Sequence, residues 1–235
     1  MEAIERVVVT LDDWLNVELI DTPDDDRWAN YRKEFEYCMP LCSDEGMFLE
    51  FGVYQGRTIN ICSDLRPNNH FYGFDSFEGL PEKWELANTN KHSRITSVDK
   101  GHFAVDKLPQ VNDNVTLVEG FFDVSLDPWI DQHLDNQSTI SWLHIDSDLY
   151  SSAKCIFDKL NSYIIPSTII RFDELVDWRL AGFKNTFAHE KPKSKYSLWG
   201  DGEWKALIEW IETYNRKVKP LWREWHQGAG LVVEQ

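Results

Sequence analysis

Five short apolar runs punctuate the middle of this chain, and the segments between them carry helical spacing. The runs lie at 48–51, 70–74, 115–119, 140–145 and 168–172. Helix-like stretches follow at Thr58–Leu65, about Gly101–Leu108, Val124–His133 and Ser151–Tyr163. Strands that alternate with helices need crossover connections, so they predict an α/β fold: a doubly wound, mostly parallel sheet with helices on both faces. A further helix is expected over Gly202–Tyr214, with Trp204, Leu207, Ile208 and Ile211 on one face. Lys219–Trp225 and Gly230–Val233 read as a hairpin-like pair. The 235 residues suit a single domain, 1–235, able to bury a core without disulfides or a structural metal. Residues 1–45 form an N-terminal helical extension. After an acidic break at Asp21–Asp26, apolar Trp28, Tyr31, Phe35, Cys38 and Met39 have helical spacing between Arg27 and Leu41. Packing on the domain, a lid and a dimer contact all fit that pattern.

The first strand, loop and helix carry the most information. In Phe48-Leu49-Glu50-Phe51-Gly52-Val53-Tyr54-Gln55-Gly56-Arg57-Thr58, an apolar run with an acid is followed by two glycines and a helix. The G-x-G-x-x-G dinucleotide spacing is absent. A Walker A loop is absent too, since three residues separate the glycines and Arg57-Thr58 replaces Lys-Ser/Thr. A glycine loop without a phosphate cradle suits a nucleoside bearing an amino-acid arm, such as S-adenosylmethionine (SAM). Glycines here admit close approach of a ligand to the backbone, or serve a tight packed turn.

Four of the five strands end in an acid: Glu50, Asp75, Asp146 and Asp173. In an open parallel sheet the carboxyl ends of the strands form the ligand crevice. Asp75 stands where an acid accepts hydrogen bonds from ribose hydroxyls; helix capping or turn formation is the competing use. Asp146-Ser147-Asp148 and Asp173-Glu174 end the fourth and fifth strands, which brings like charges together unless a cation or proton compensates. Oxygen-only donors of this kind suit Mg²⁺ or Ca²⁺, and the absence of thiolates disfavours Zn²⁺. His144 is read as a hydrogen-bonded core histidine, with a ligand or base role as the alternative.

Composition narrows the partners. Forty acidic against 24 basic residues give a net charge of −16, which disfavours nucleic acid and anionic membranes. The four cysteines, Cys38, Cys42, Cys62 and Cys155, make no C-x-x-C pair. No apolar signal core opens the chain and no stretch approaches a membrane span, so the expected location is a reducing cytoplasm. Eleven tryptophans, among them Trp178, Trp199, Trp204, Trp210, Trp222 and Trp225, offer core, interface or a sugar-stacking surface.

The motif Phe74-Asp75-Ser76-Phe77-Glu78-Gly79-Leu80-Pro81-Glu82 resembles the second-strand motif of the macrocin O-methyltransferase family of class I SAM-dependent enzymes. In the same order, Leu49–Gly56 resembles its SAM loop, Val118-Glu119-Gly120-Phe121-Phe122 its third-strand motif and Leu143–Ser152 its fourth. Phe172-Asp173-Glu174 and Glu203-Trp204-Lys205-Ala206 resemble the fifth strand and following helix of one branch. The resemblance implies a seven-stranded sheet with an antiparallel C-terminal strand, and methyl transfer to a hydroxyl, typically of a sugar in a glycosylated natural product or glycan. It implies SAM binding by Glu50, Gly52, Tyr54, Gly56, Thr58, Asp75, Ser76, Gly120, Phe121 and Asp146. It implies Mg²⁺ held by Asp146, Asp173 and Glu174, where the family often has Asp-Asp, and Asp148 as general base with Asp146 beside it. Tyr150, Arg57 and His102 are weaker pocket candidates. A homodimer is compatible with the aromatic surface and the helical N-terminus. Two rival readings stay open: a glycosyltransferase using Asp146-Ser147-Asp148 as a D-x-D motif, and a catalytically silent SAM-fold subunit. A hydrolase is disfavoured, since no G-x-S-x-G elbow exists.

Overall fold

The computed structural model describes residues 9–20, 27–85, 97–175, 202–224 and 227–235. Their strands are β1 (Glu18–Ile20), β2 (Met47–Phe51), β3 (Phe71–Asp75), β4 (Trp84–Glu85), β5 (Ser97–Val98), β6 (Val115–Glu119), β7 (Ile140–Ile145), β8 (Ile164–Phe172), β9 (Val218–Glu224) and β10 (Ala229–Val233). The helices are α1 (Leu11–Leu15), α2 (Arg27–Cys38), α3 (Arg57–Leu65), α4 (Phe122–His133), α5 (Tyr150–Leu160) and α6 (Glu203–Tyr214). A 3₁₀ turn at Met39–Leu41, with Pro40 inside it, extends α2.

Eight strands form one sheet in the order β1-β9-β10-β8-β7-β2-β3-β6, and β4 and β5 make a separate ribbon. From β8 to β6 all neighbours are parallel, while β10 runs antiparallel to both β8 and β9. This is the class I methyltransferase arrangement with one strand more than the seven expected. The added strand is β1, which pairs in parallel with β9 through Glu18↔Trp222 to Ile20↔Glu224. It arises within the N-terminal extension, just before the acidic break, where no strand was expected.

The central strands are covered on both faces, so β7 buries all six of its residues and reads as a continuous apolar run rather than an alternation. One face packs Phe51, Phe74, Ile145 and Phe172 against α4, α5 and α6. The other packs Phe48, Phe71, Trp142 and Ile169 against α2 and α3. Among the described residues no helix is long and apolar enough to cross a membrane.

The helix expected at 101–108 does not form. Gly101 (φ +82°) and Phe103 (φ +69°) take left-handed conformations, and the backbone there bonds to Leu80 instead. Trp178, Trp199, Trp225 and most of the polar loop at 175–200 lie outside the described residues, as does much of the loop at 84–100.

Candidate active site

Crossing from β2 into α3 takes the chain through a tight loop that holds two glycines. Gly52 has φ +95°, and a Cβ there would meet the Asp146 carbonyl oxygen at 1.7 Å. Gly56 (φ +75°) packs instead against Pro109 and Val111. Both glycines thus sit in a tightly packed turn, and Gly52 also borders the cavity. Asp75 braces this loop from β3. Its Oδ2 accepts the N–H groups of Val53 (2.9 Å) and Tyr54 (2.8 Å), and its Oδ1 accepts that of Phe77 (2.7 Å). The following turn is fixed by Ser76, whose hydroxyl donates to the Gly79 carbonyl at 3.1 Å. Gly79 itself is required, because a Cβ would lie 2.2 Å from the His102 carbonyl oxygen.

A cavity of about 460 Å³ opens where β2, β3, β7 and β8 end, as expected for an open parallel sheet. Gly52, Tyr54, Thr58, Asp75, Ser76, Phe121, Asp146, Asp148 and Glu174 line it. Glu50, Gly56, Gly120 and Asp173 do not line it. Glu50 is buried and accepts from Thr58 Oγ1 (2.8 Å) and His144 Nδ1 (2.9 Å). Gly120, with φ +133°, donates its N–H to the Asp75 carbonyl. Of the weaker candidates, Arg57 borders the cavity, with its guanidinium 4.4 Å over the Trp28 ring. Tyr150 instead donates to Glu209 at 2.6 Å. His102 does not line the cavity.

Asp146, Asp148 and Glu174 each present a carboxylate oxygen within 4.8 Å of the others, and His144, Asp146 and Asp173 form an overlapping group. Asp148 reaches this position with φ +60°, a conformation that Asp tolerates better than most residues. Burial, then the charges of Asp173 and Asp148, push the Asp146 carboxyl well above its usual range, against the pull of Arg171. Burial and the same group of acids, Asp173 first, push Glu174 up as well. Asp173 behaves differently. Burial raises it, but the Arg171 guanidinium and His144, with hydrogen bonds from Arg171 and Tyr31, outweigh burial and hold it at about 2. The oxygen-only donors of Asp146, Asp148 and Glu174 fit a hard divalent cation.

Arg171 can only donate, so His144 Nε2, 2.6 Å from Arg171 Nη1, must accept. The imidazole proton then sits on Nδ1, facing Glu50. His144 is thus a hydrogen-bonded core histidine. Cys38, Cys42 and Cys62 are buried, and burial raises their thiols, that of Cys42 to about 12.

Sequence reasoning did not single out Tyr31, Glu34 or Arg171 for the site. Glu203 entered only as part of a motif. It is fully buried at the start of α6, and its Oε1 accepts from Ser147 N (3.0 Å) and Oγ (3.1 Å). Burial raises its carboxyl to about 8, despite the Ser147 donors.

A family profile described as a methyltransferase domain matches residues 49–175, more than half of the chain. The chain belongs to this methyltransferase-domain family. The match begins in β2 and ends just after Glu174, so it contains the glycine loop, Asp75 and the carboxylate group. Among solved structures, the methyltransferase domain is similar to CalS11, a calicheamicin methyltransferase, with a TM-score of 0.55 and 20% identity over 87% of this chain and 77% of that one. The apo structure of CalS11, described as a TDP-rhamnose 3'-O-methyltransferase, gives 0.53 and 20% over 86% and 77%. The O-methyltransferase NovP gives 0.49 and 15% over 89% and 80%. These likenesses concern the fold. No curated protein matches the sequence.

Proposed function

We propose that the chain works as one SAM-dependent O-methyltransferase domain that transfers a methyl group to a sugar hydroxyl of a small molecule or glycan, assisted by Mg²⁺. One observation carries the reading: the Asp75-braced glycine loop and the Asp146, Asp148 and Glu174 carboxylates open into a single cavity. A donor on the loop and an acceptor hydroxyl at the carboxylates would meet within it. The sugar O-methyltransferase described for CalS11 supports the same class of acceptor.

The protein's own groups divide the work. Asp75 holds the loop, and Tyr54, Ser76 and Phe121 wall the donor side. Asp146, Asp173 and Glu174 would hold the cation, with Asp173 and Glu174 each approaching Asp146 in a separate group. When bound, Mg²⁺ lowers the pKa of vicinal hydroxyls and fixes their orientation. Asp148 accepts the hydroxyl proton as the new O–CH₃ bond forms and the S–CH₃ bond of SAM breaks, releasing S-adenosylhomocysteine. The cavity walls align the three centres, which removes much of the entropic barrier.

Family membership speaks against the glycosyltransferase reading of Asp146-Ser147-Asp148. Calorimetric titration of SAM and of a UDP-sugar, each with and without Mg²⁺, tests the choice. SAM binding that is largely independent of metal is expected. Metal-dependent UDP-sugar binding without SAM binding would overturn the proposal, and SAM binding with no transfer to any hydroxyl would favour the silent subunit.

A further inference from the structure

Between β7 and α5 the chain turns within three residues. The Leu149 N–H donates to the Ser147 carbonyl at 2.6 Å, which closes a γ-turn around Asp148, whose φ is +60°. A γ-turn with positive φ is the rarer and more strained of the two kinds, so it persists only where neighbouring contacts hold it. Asp146 and Asp148 flank Ser147 in this turn and, with Glu174, present carboxylate oxygens within 4.8 Å of one another.

The holding contact comes from α6, outside the segment matched as a methyltransferase domain. Glu203, the first residue of that helix, is fully buried, and its Oε1 accepts both the N–H of Ser147 (3.0 Å) and the Ser147 hydroxyl (3.1 Å). Among the described residues its Oε2 has no hydrogen-bond partner. Burying a carboxyl is costly unless hydrogen bonds offset it, and here those bonds both come from Ser147. Helix α6 is in turn fastened to α5, the helix that follows the turn. Tyr150 donates to Glu209 at 2.6 Å, and the Phe157 and Trp210 rings stack at 4.8 Å. The acid therefore reaches, from a fixed helix, the one residue between Asp146 and Asp148.

We infer that Glu203 is a positioning residue for the cation site: by gripping Ser147 at two points it holds the strained turn that keeps the Asp146 and Asp148 carboxylates side by side. The inference rests on the proposed cation site at Asp146, beside the base Asp148. The acceptor oxygen of Glu203, rather than its charge, is what the turn uses.

The test is a Mn²⁺ titration followed by electron paramagnetic resonance, on wild type, Glu203→Gln and Glu203→Leu, each saturated with S-adenosylhomocysteine. Calorimetry of S-adenosylhomocysteine runs in parallel. Glutamine keeps an acceptor oxygen for Ser147, whereas leucine fills the space and leaves both donors unmet. Losing a contact that orients metal-binding groups costs about 10- to 100-fold in affinity, so Glu203→Leu is expected to bind Mn²⁺ about tenfold or more weakly, with Glu203→Gln near wild type. S-adenosylhomocysteine affinity is expected to hold in all three. Equal Mn²⁺ affinity in wild type and Glu203→Leu overturns the inference. So does a Glu203→Gln that falls as far as Glu203→Leu, because the negative charge rather than the grip would then matter. An equal loss of Mn²⁺ and S-adenosylhomocysteine binding in Glu203→Leu also overturns it, since the acid would then be a general prop. Wild type that binds no Mn²⁺ overturns the cation reading itself and takes the inference with it. If Glu203→Leu does not fold, Ser147→Ala stands in, deleting one of the two donors while the acid stays in place. A several-fold loss of Mn²⁺ affinity there supports the inference, and an unchanged affinity overturns it.

Discussion

Asp75 spends its carboxylate on three backbone N–H groups of the loop and the following turn, at 2.7 to 2.9 Å. Charge-assisted hydrogen bonds of this kind contribute about 1.5–3 kcal/mol each. An Asn side chain keeps one oxygen but turns an NH₂ toward other N–H groups. Asp75→Asn is therefore expected to weaken SAM binding at least tenfold by calorimetry, while the far-ultraviolet spectrum stays that of the wild type. Wild-type affinity would mean that the loop holds its shape without the brace. Gly230 illustrates a different constraint, space rather than backbone freedom. A Cβ there would lie 2.0 Å from the Trp222 indole, the ring that reaches Glu34. Overpacking a buried site costs about 1–3 kcal/mol. Gly230→Ala should lower the urea midpoint accordingly, and an unshifted midpoint would show that Trp222 has room to move.

Among the elements, α6 contributes a buried acid beneath the carboxylate group. Glu203 is held at about 8, whereas an ordinary glutamate titrates near 4.5. Because the folded value is raised, its contribution to stability is fully present below pH 4.5 and is lost as pH rises toward about 8. Glu203→Gln cannot ionise, so metal-free Glu203→Gln should show a flatter decline of melting temperature between pH 5 and pH 8 than wild type. Identical slopes in the two proteins would place the ionisation elsewhere. The elements differ in how openly the sequence announces them. The β2 loop, Asp75 and Asp146–Asp148 were legible because their spacing is local: each lies at a strand end, where a parallel sheet gathers its ligands. The α2 helix was legible as a helix, but not as part of the site. Tyr31 meets Asp173 across 142 residues and Glu34 meets Arg171 across 137, and no local pattern encodes such pairings. The turn at 101–108 was misread because its left-handed residues, Gly101 and Phe103, are set by the docking of Leu80 rather than by periodicity. Strand β1 was missed because three residues at an edge give too short a run to register.

At the scale of the whole molecule, the net charge is −16, and five of its acids, Asp146, Asp148, Asp173, Glu174 and Glu203, lie close enough to perturb one another. Asp146 and Glu174 have raised carboxyls, so their share of stability is present at low pH and is lost as pH rises through their raised folded values. A cation that binds their ionised forms must displace those protons, and its stabilising effect grows with pH. The expected result is a rise in melting temperature on adding Mg²⁺ that is larger at pH 8 than at pH 5, and absent in Asp146→Asn. A shift independent of pH would locate the ion at some other surface.

The reach of Glu34 to Trp222 spans 188 residues, and β1 closes on β9 at the same end of the sheet. On a ribosome, therefore, α2 emerges early, meets Arg171 through its buried acid, and receives the Trp222 donor only when the chain has been made almost to β10. The central parallel strands can pair before that moment, and Tyr31 and Arg171 can already reach Asp173, while Glu34 still lacks its Trp222 donor. A nascent chain that stops short of Trp222 carries the domain's sequence motifs but leaves uncovered the side of α2 where Tyr37 meets Trp222 edge-on, a surface for chaperones to hold.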